Sequence, residues 1–294
     1  MGRVDGKVAL VTGGGSGIGA AACRTLAREG TSVAVVDYRL EAAEGVASEL
    51  KSSGAKAIAV RADVRVEADM KEAVSRTVSE LGGLHFVFAN AGINGMQCPI
   101  EEMTVEEWDA TIDTNMKGTF LTIKHSIPHL RAAGGGSVVV TASVNGFKLF
   151  SAAGYSAYST SKAGQVAYAK MAAQELARWD IRVNVICPGA IKTNIGERTY
   201  QRNLEKVRWD IGMPGRGARR AAADGGQRPV GAAGAIGAGI IDEHGTLQRF
   251  PPLYGRSADA GEVADLVLFL ASDESRYITG AEILIDAGLT LLRG

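Results

Sequence analysis

The sequence is poor in cysteine, carries no net charge and has no long apolar run. Its three cysteines, Cys23, Cys98 and Cys187, are widely spaced and odd in number, which argues against a disulfide framework and against Cys-x-x-Cys metal sites. A reducing compartment fits that usage. Lysine plus arginine equals aspartate plus glutamate at 32 each, so no overall field draws the chain toward nucleic acid or an anionic membrane. No apolar stretch approaches the roughly 20 residues needed to span a bilayer, and the start runs into a strand-like segment with no apolar signal core. Met1 to Gly6 also lacks the hydroxyl residue that N-myristoylation takes at its sixth position. The expectation is a soluble cytoplasmic protein. With 294 residues, 46% of them hydrophobic, the chain can bury a full core and reads as one large α/β domain.

The order of elements follows from short β-branched runs separated by helical stretches. Lys7 to Thr12 is a run of the kind buried on both faces of a parallel sheet. After it, Gly13-Gly14-Gly15-Ser16-Gly17-Ile18-Gly19 places Gly13, Gly17 and Gly19 where the chain must turn sharply. The helix that follows presents free N–H groups and a dipole able to receive a pyrophosphate. A plain glycine-rich turn has the same composition. The preceding strand, an alanine-rich helix over 18–29 and a second strand, Ser32 to Asp37, favour the nucleotide reading. Asp37 ends that strand about 20 residues after the glycines, where a carboxylate accepts from ribose hydroxyls and repels a 2'-phosphate. NAD is therefore expected over NADP, with Arg39, which can pair with such a phosphate, as the counter-argument. Residues 55–61 form a third strand, and Asp63 and Val64 follow it. From spacing alone, Asp63 is as suited to capping the helix that starts near Glu67 as to holding a ligand.

Further strands are read at 84–89, 136–141, 182–187 and 281–285. Asn90-Ala91-Gly92 follows the fourth strand, and its small residues allow close backbone approach to a ligand. Thr104 with Glu107 resembles a capping box, opening a helix expected from about Trp108 toward Leu130. That helix carries Asn115, whose amide can bond a neighbouring backbone carbonyl at a kink. His125 and His129 have metal-ligand spacing, but Pro128 between them and the lack of nearby carboxylate or cysteine argue against a metal site. Ser143 lies at the carboxyl end of the fifth strand, where open parallel sheets bind ligands. The architecture expected is α/β: a doubly wound parallel sheet of the Rossmann type, about seven strands with helices on both faces, in a single domain over 1–294. Val263, Leu266, Val267 and Leu270 place one of the last helices on the sheet.

Tyr158 and Lys162 lie four apart in Tyr158-Ser159-Thr160-Ser161-Lys162, on one face if the segment is helical. Acid–base work near neutral pH needs a phenol pKa lowered from about 10 by about 3 units. An ammonium about 4 Å away, at an effective dielectric of about 20, supplies roughly the necessary 4 kcal/mol. Alone, such a pair is a weak signal. Together and in this order, the glycine run, Asn90-Ala91-Gly92, Asn115, Ser143 and the Tyr158/Lys162 pair resemble the short-chain dehydrogenase/reductase family over nearly the whole chain.

The resemblance implies hydride transfer between NAD and a secondary alcohol or ketone, without a metal. Tyr158 would be the acid–base group, and Lys162 would lower its pKa and bind the nicotinamide ribose. Ser143 would orient the substrate oxygen, and Asn115 would hold a water that links Lys162 to solvent. Asp63 and Val64 would meet adenine, and Asn90, Ala91 and Gly92 the nicotinamide-side ribose. Pro188, Gly189 and Thr193 would lie against the carboxamide and phosphates, with Ser16 and Ile18 in the phosphate turn. Asn94, Met96, Val144, Phe147 and Tyr155 would rim the substrate pocket, and the C-terminal pattern would join subunits of a homotetramer. Ser143 to Tyr158 is slightly wider than the family's usual spacing; Tyr155 lies closer, yet the residue four beyond it is Ser159. Residues 190–255 would cover the substrate, and within them 211–241 departs from the family: residues 212–239 hold 9 glycines and 8 alanines. Its arginines also suit a nucleic-acid arm, but an enlarged substrate-covering insertion is the preferred reading. The rivals are an NADPH-dependent 3-oxoacyl thioester reductase and a non-catalytic NAD-binding regulator or scaffold. No nucleic-acid or membrane partner is expected.

Overall fold

A strand covered on both faces must be apolar on both, and the strand runs of this chain meet that requirement. The computed structural model describes residues 2–146, 148, 154–195, 199–203, 239–241, 247–249 and 256–291. Seven parallel strands form one sheet: β1 Val8–Thr12, β2 Ser32–Asp37, β3 Ala57–Arg61, β4 Phe86–Ala89, β5 Gly136–Thr141, β6 Ile181–Pro188 and β7 Glu282–Ile285, in the order β7-β6-β5-β4-β1-β2-β3. All five residues of β1 are buried. They alternate between two cores: Leu10 joins Val36, Val87 and Val138 on one face, while Ala9 and Val11 join Val33, Val35 and Phe88 on the other. At about 1.5–3 kcal/mol for each large apolar side chain taken from water, this two-sided burial is the main stabilising term for the sheet.

The helices are α1 Gly17–Arg28, α2 Leu40–Ser52, α3 Glu67–Leu81, α4 Val105–Ile112, α5 Gly118–Ala132, α6 Ser156–Leu176 and α7 Ala260–Ala271; α4 packs on α6, and the others lie on the sheet. None of the described helices is long and apolar enough to cross a membrane. The chain reverses its direction of winding between β1 and β4, and the crevice opens there, at the carboxyl ends of the strands.

Several sequence expectations need correction. The helix expected from Trp108 toward Leu130 is two helices, α4 and α5, joined by a π-turn over Asp113–Lys117. Thr104 does cap α4 reciprocally with Glu107. Helix α5 runs through Pro128 without ending, and His125 Nε2 turns to Glu67 at 3.2 Å rather than to His129. The insertion read at 211–241 lies outside the described residues except for its last three. There, Gly239–Ile241 pairs antiparallel with Leu247–Arg249.

One side chain closes the β1–β4 ladder. The Val8 N–H donates to His85 Nδ1 at 3.1 Å, and the His85 backbone N–H donates back to the Val8 carbonyl at 2.9 Å. Burial, and secondarily the Lys7 charge, hold this imidazole below its usual pKa. In the acid range the unfolded chain therefore binds more protons than the folded one, so His85 subtracts stability as pH falls below about 6.5. His85→Ala is expected to cost about 1 kcal/mol at pH 8 through the unpaired Val8 N–H. That gap should narrow toward pH 5 in urea unfolding; a gap constant from pH 5 to 8 would contradict the assignment.

Candidate active site

The glycine turn is built by contact as well as by conformation. Gly13 stands at φ +64, in the left-handed region. A Cβ on Gly19 would sit 2.1 Å from the Gly13 carbonyl oxygen and 2.8 Å from Asn90 Nδ2. Gly19 therefore packs beneath the turn, while Gly13, Ser16, Gly17 and Ile18 line a cleft of about 410 Å³. Ser16 precedes α1 without making a side-chain cap, so it does not serve the first N–H groups of this 12-residue helix. Thr193 lies directly over this turn: a Cβ on Gly17 would meet its Cγ2 at 3.4 Å. An uncapped helix start under a turn with no room for side chains fits a phosphate-bearing group such as a dinucleotide.

Beside the glycine turn stands Asp37, 8% exposed. Its Oδ2 accepts from the Gly15 N–H at 3.0 Å and its Oδ1 from the Arg39 N–H at 3.0 Å. These bonds bind the carboxylate to the glycine turn and leave lone pairs for ribose hydroxyls. Asp63 and Val64 line the same cleft. Asp63 does not cap α3, whose N-cap is Val66; instead its carboxylate is forked by Arg65 at 2.6 Å. Sequence reasoning missed Arg65, although an arginine two residues from an aspartate in a strand-to-helix loop is a signal that could have been weighed.

From the glycine turn to Lys162 runs a chain of polar contacts. The Thr12 hydroxyl accepts from the Asn90 and Ala91 N–H groups at 3.0 and 3.2 Å, and Asn90 Nδ2 donates to the Thr12 carbonyl at 3.1 Å. Asn90 Oδ1 accepts from the Thr141 hydroxyl at 3.1 Å, and the Thr141 carbonyl accepts from Lys162 Nζ at 2.8 Å. Lys162, 3% exposed, thus sits over the end of β5. Thr12 and Thr141 were not foreseen. Thr141 holds the lysine through a carbonyl, which every residue possesses, so no sequence signal marks it.

Asn115 does not line the cleft; it lies fully buried beneath it. Its Oδ1 accepts from the Ile93 N–H at 2.9 Å, and Nδ2 donates to the Ile93 carbonyl at 3.0 Å and to Ser161 Oγ at 2.8 Å. A Cβ on Gly92 would press on Asn115 Oδ1 at 3.1 Å and on Lys162 Nζ at 3.4 Å. Glycine at 92 is what lets amide and ammonium crowd against the same backbone.

Ser143, Tyr158 and Lys162 meet at the cleft, with Pro188, Gly189 and Thr193 facing them and Ala91 and Gly92 alongside. The Ser143 hydroxyl accepts from the Asn145 N–H at 3.1 Å, which leaves its own proton to donate. The Val144 N–H donates to the Pro188 carbonyl at 3.1 Å, drawing the ends of β5 and β6 together. Tyr155 packs edge-on against Tyr158 with ring centroids 5.8 Å apart. Phe147 lies outside the described residues. Asn94 donates to Thr199 Oγ1 at 2.8 Å, and Met96–Gln97 pairs in parallel with Tyr200–Gln201, so part of the expected rim is held to the chain beyond Thr193.

The electrostatics differ from the simple pair expected. Lys162 Nζ lies 5.6 Å from the centroid of the Tyr158 ring. Burial pushes the phenol up to about 12, opposed by a hydrogen bond with Ser143. Burial likewise brings the lysine down to about 7. In the protein alone, desolvation thus outweighs attraction, and each group is held toward its neutral form. Because the two charged forms are of opposite sign and close, ionisation of one favours ionisation of the other.

Residues 7–204 match the protein family described as short chain dehydrogenase, and residues 244–290 match one described as Enoyl-(Acyl carrier protein) reductase. The chain is 34% identical over 288 residues to the cyclohexanol dehydrogenase of Acinetobacter sp. (strain SE19), covering 98% of this chain and 96% of that protein. The solved structure of a 3-ketoacyl-ACP reductase from Sinorhizobium meliloti 1021 is similar with a TM-score of 0.81 and 39% identity, over 97% of this chain and 100% of that one. The 3-ketoacyl-(acyl-carrier-protein) reductase from Brucella melitensis, solved in complex with NADH, has a TM-score of 0.76 and 27% identity over 98% and 99% of the two chains. The chain belongs to the short-chain dehydrogenase/reductase family, and is an oxidoreductase that transfers a hydride between a nicotinamide cofactor and a secondary alcohol or ketone.

Proposed function

We propose that the chain is an NAD-dependent dehydrogenase of compact secondary alcohols, with alicyclic alcohols as the substrate class. The observation that carries this reading is the meeting of Ser143, Tyr158 and Lys162 on the cleft that Asp37 also lines. Similarity to the cyclohexanol dehydrogenase supports the alicyclic class. In the oxidation direction Ser143 donates a hydrogen bond to the substrate oxygen, and Tyr158, as phenolate, takes the hydroxyl proton. Lys162 stabilises that phenolate by its charge and binds the ribose of the cofactor. Asn115 supports the return of protons by holding the backbone at Ile93 and the α6 hydroxyl of Ser161 in place. When bound, the nicotinamide ring supplies the acceptor for the hydride that leaves the carbinol carbon. Gly13, Ser16, Gly17, Ile18 and Thr193 would hold the phosphates, with Gly19 packed against the turn. Asp37 holds the adenosine ribose, and Asp63 with Val64 the adenine. Asn90, Ala91, Gly92, Pro188 and Gly189 flank the nicotinamide half.

A second reading, NADPH-dependent reduction of 3-oxoacyl thioesters, has the similarity to the Sinorhizobium reductase in its favour. Arg39 beside Asp37 points the same way. Residues 190–255 are read as the segment that covers the substrate. The protein is read as cytoplasmic and as a homotetramer; Phe120 and Met171, 43% and 54% exposed on α5 and α6, offer apolar surface for association.

Absorbance of NADH during a screen of cyclic and open-chain secondary alcohols tests the reading; turnover confined to 3-oxoacyl thioesters with NADPH would replace it. Tyr158→Phe is expected to lower kcat by about 10²–10⁴ with the Kd for NAD unchanged, and undiminished turnover would remove Tyr158 from the chemistry. Since burial raises the phenol pKa, kcat/KM for oxidation should climb with pH above neutrality while that for reduction falls; a flat oxidation profile contradicts this. Asp37→Asn removes the charge that repels a 2'-phosphate and keeps an acceptor. At about 4 Å and an effective dielectric of about 20, such repulsion is worth a few kcal/mol. The ratio of kcat/KM with NADP to that with NAD should then rise about tenfold or more, and an unchanged ratio would show that Asp37 does not choose the cofactor.

A further inference from the structure

The chain beyond Thr193 is tied back to the loop after β4 by contacts that the hydride and proton transfers do not use. Met96–Gln97 pairs in parallel with Tyr200–Gln201, Gln201 Nε2 donates to Gln97 Oε1 at 2.7 Å, and the Arg202 backbone N–H donates to the Gln97 carbonyl at 2.9 Å. Arg202 then forks the Glu107 carboxylate, with Nη1 on Oε1 at 3.0 Å and Nη2 on Oε2 at 2.9 Å, and Nη2 also meets the Glu102 carbonyl. Asn203, at φ +51 in the left-handed region, donates to Glu102 Oε2 at 2.6 Å. The carboxylate that receives the fork is itself fixed, because Glu107 Oε2 accepts from the Thr104 N–H in the cap of α4. Cys98, fully buried, lies against the fork: Arg202 Nη2 is 3.9 Å from its Sγ, and its backbone N–H donates to the Gly154 carbonyl just ahead of α6.

An isolated surface ion pair contributes little, but a planar two-point fork on a fixed carboxylate is the stronger geometry. A pair of strands only two residues long cannot hold itself in water, so the fork supplies what the strand pairing lacks. What it holds is the spacing of two residues of the cleft. Ile93 and Ile195 line the same cleft as Ser143 and Tyr158. Ile93 is fixed through its backbone by Asn115. The next residue, Asn94, donates to Thr199 Oγ1 at 2.8 Å, and the Thr199 hydroxyl donates to the Ile195 carbonyl at 3.2 Å. A polar bridge thus spans the two isoleucines, and Arg202, three residues on from Thr199, anchors it to α4.

We propose that Arg202 is a positioning residue for substrate size: its fork on Glu107 clasps residues 199–203 to the rim at Asn94–Cys98, fixes the separation of Ile93 and Ile195, and so restricts the cleft to compact alcohols. The inference deepens the proposed function and rests on it. Arg202 acts through the bridge, without touching the substrate.

Thiol labelling of the purified full chain by iodoacetamide, mapped by mass spectrometry, reads the clasp without any substrate. All three cysteines are buried, and Cys23 and Cys187 belong to the two cores of the sheet, where they report general loosening. Arg202→Ala should label Cys98 about tenfold faster than the wild type, with Cys23 and Cys187 unchanged. Glu107→Gln should do the same, since glutamine removes the charge yet can still close the capping box. Arg202→Lys should fall between, because an ammonium cannot fork. On the cyclic secondary alcohol that the wild type turns over best, Arg202→Ala and Glu107→Gln should raise KM about fivefold with kcat and the Kd for NAD unchanged. The preference for cyclohexanol over the larger 2-decalol, as a ratio of kcat/KM, should shrink about fivefold or more. Should Arg202→Ala not fold, Glu107→Gln and Arg202→Lys decide. Faster labelling of all three cysteines, or of none, would overturn the clasp. Faster labelling of Cys98 with KM and the size preference retained would overturn its role in substrate choice. A wild type that oxidises no secondary alcohol would overturn the proposed function, and the claim on substrate size with it, whatever the labelling shows.

Discussion

A lysine ammonium buried with no carboxylate beside it among the described residues is the constraint on which this site depends. Lys162 is 3% exposed, and its hydrogen bond among the described residues goes to the carbonyl of Thr141. Removing an ammonium from water is costly when a carbonyl dipole, rather than a full charge, receives it. That cost appears as the fall of its pKa to about 7. The neighbouring Tyr158 bears the matching cost as a phenol raised to about 12. Each group makes the charged form of the other less expensive, so the pair is set to ionise together once further charge or hydrogen bonding reaches the cleft.

The fold makes this arrangement possible by placing strand ends, rather than side chains alone, around the pair. Thr141 closes β5, Asn90 follows β4 and Thr12 closes β1, three adjacent strands of the sheet. Their hydrogen bonds run without a gap from the Lys162 ammonium to the carbonyls of Thr12 and Gly13 at the glycine turn. The groups proposed to hold the cofactor and those proposed to move the proton are thereby parts of one polar chain over an apolar sheet. A shift at the turn cannot leave the lysine undisturbed.

Much of this was legible in the sequence where burial leaves few options. Strands β2 and β5 begin and end as read, because β-branched runs such as Ser32 to Asp37 have no other way to bury two faces. Ends at β3, β4 and β6 move by one or two residues, since strand termini depend on partners that sequence spacing does not show. A kink at Asn115 was readable, but not the π-turn that splits the helix there: no proline or glycine marks Asp113–Lys117, and Asn115 bonds groups distant in sequence, Ile93 and Ser161 on another helix. The phenol–ammonium pair was found by spacing, but the sign of the net effect on the phenol was not, because desolvation is a property of the packed site. The Arg65 fork on Asp63 stayed hidden for a similar reason, since two residues of separation give no facing geometry until the loop is folded.

Burial dominates this pair until a ligand supplies charge, and the ionisation of Tyr158 reports that balance. The ultraviolet tyrosinate signal, taken as the difference between the wild type and Tyr158→Phe, should be followed against pH with and without NAD. The account predicts a phenol that titrates above the ordinary value of about 10 in the protein alone and falls when the positively charged nicotinamide ring is present. A phenol already titrating near 7 in the protein alone, or one indifferent to NAD, would contradict it.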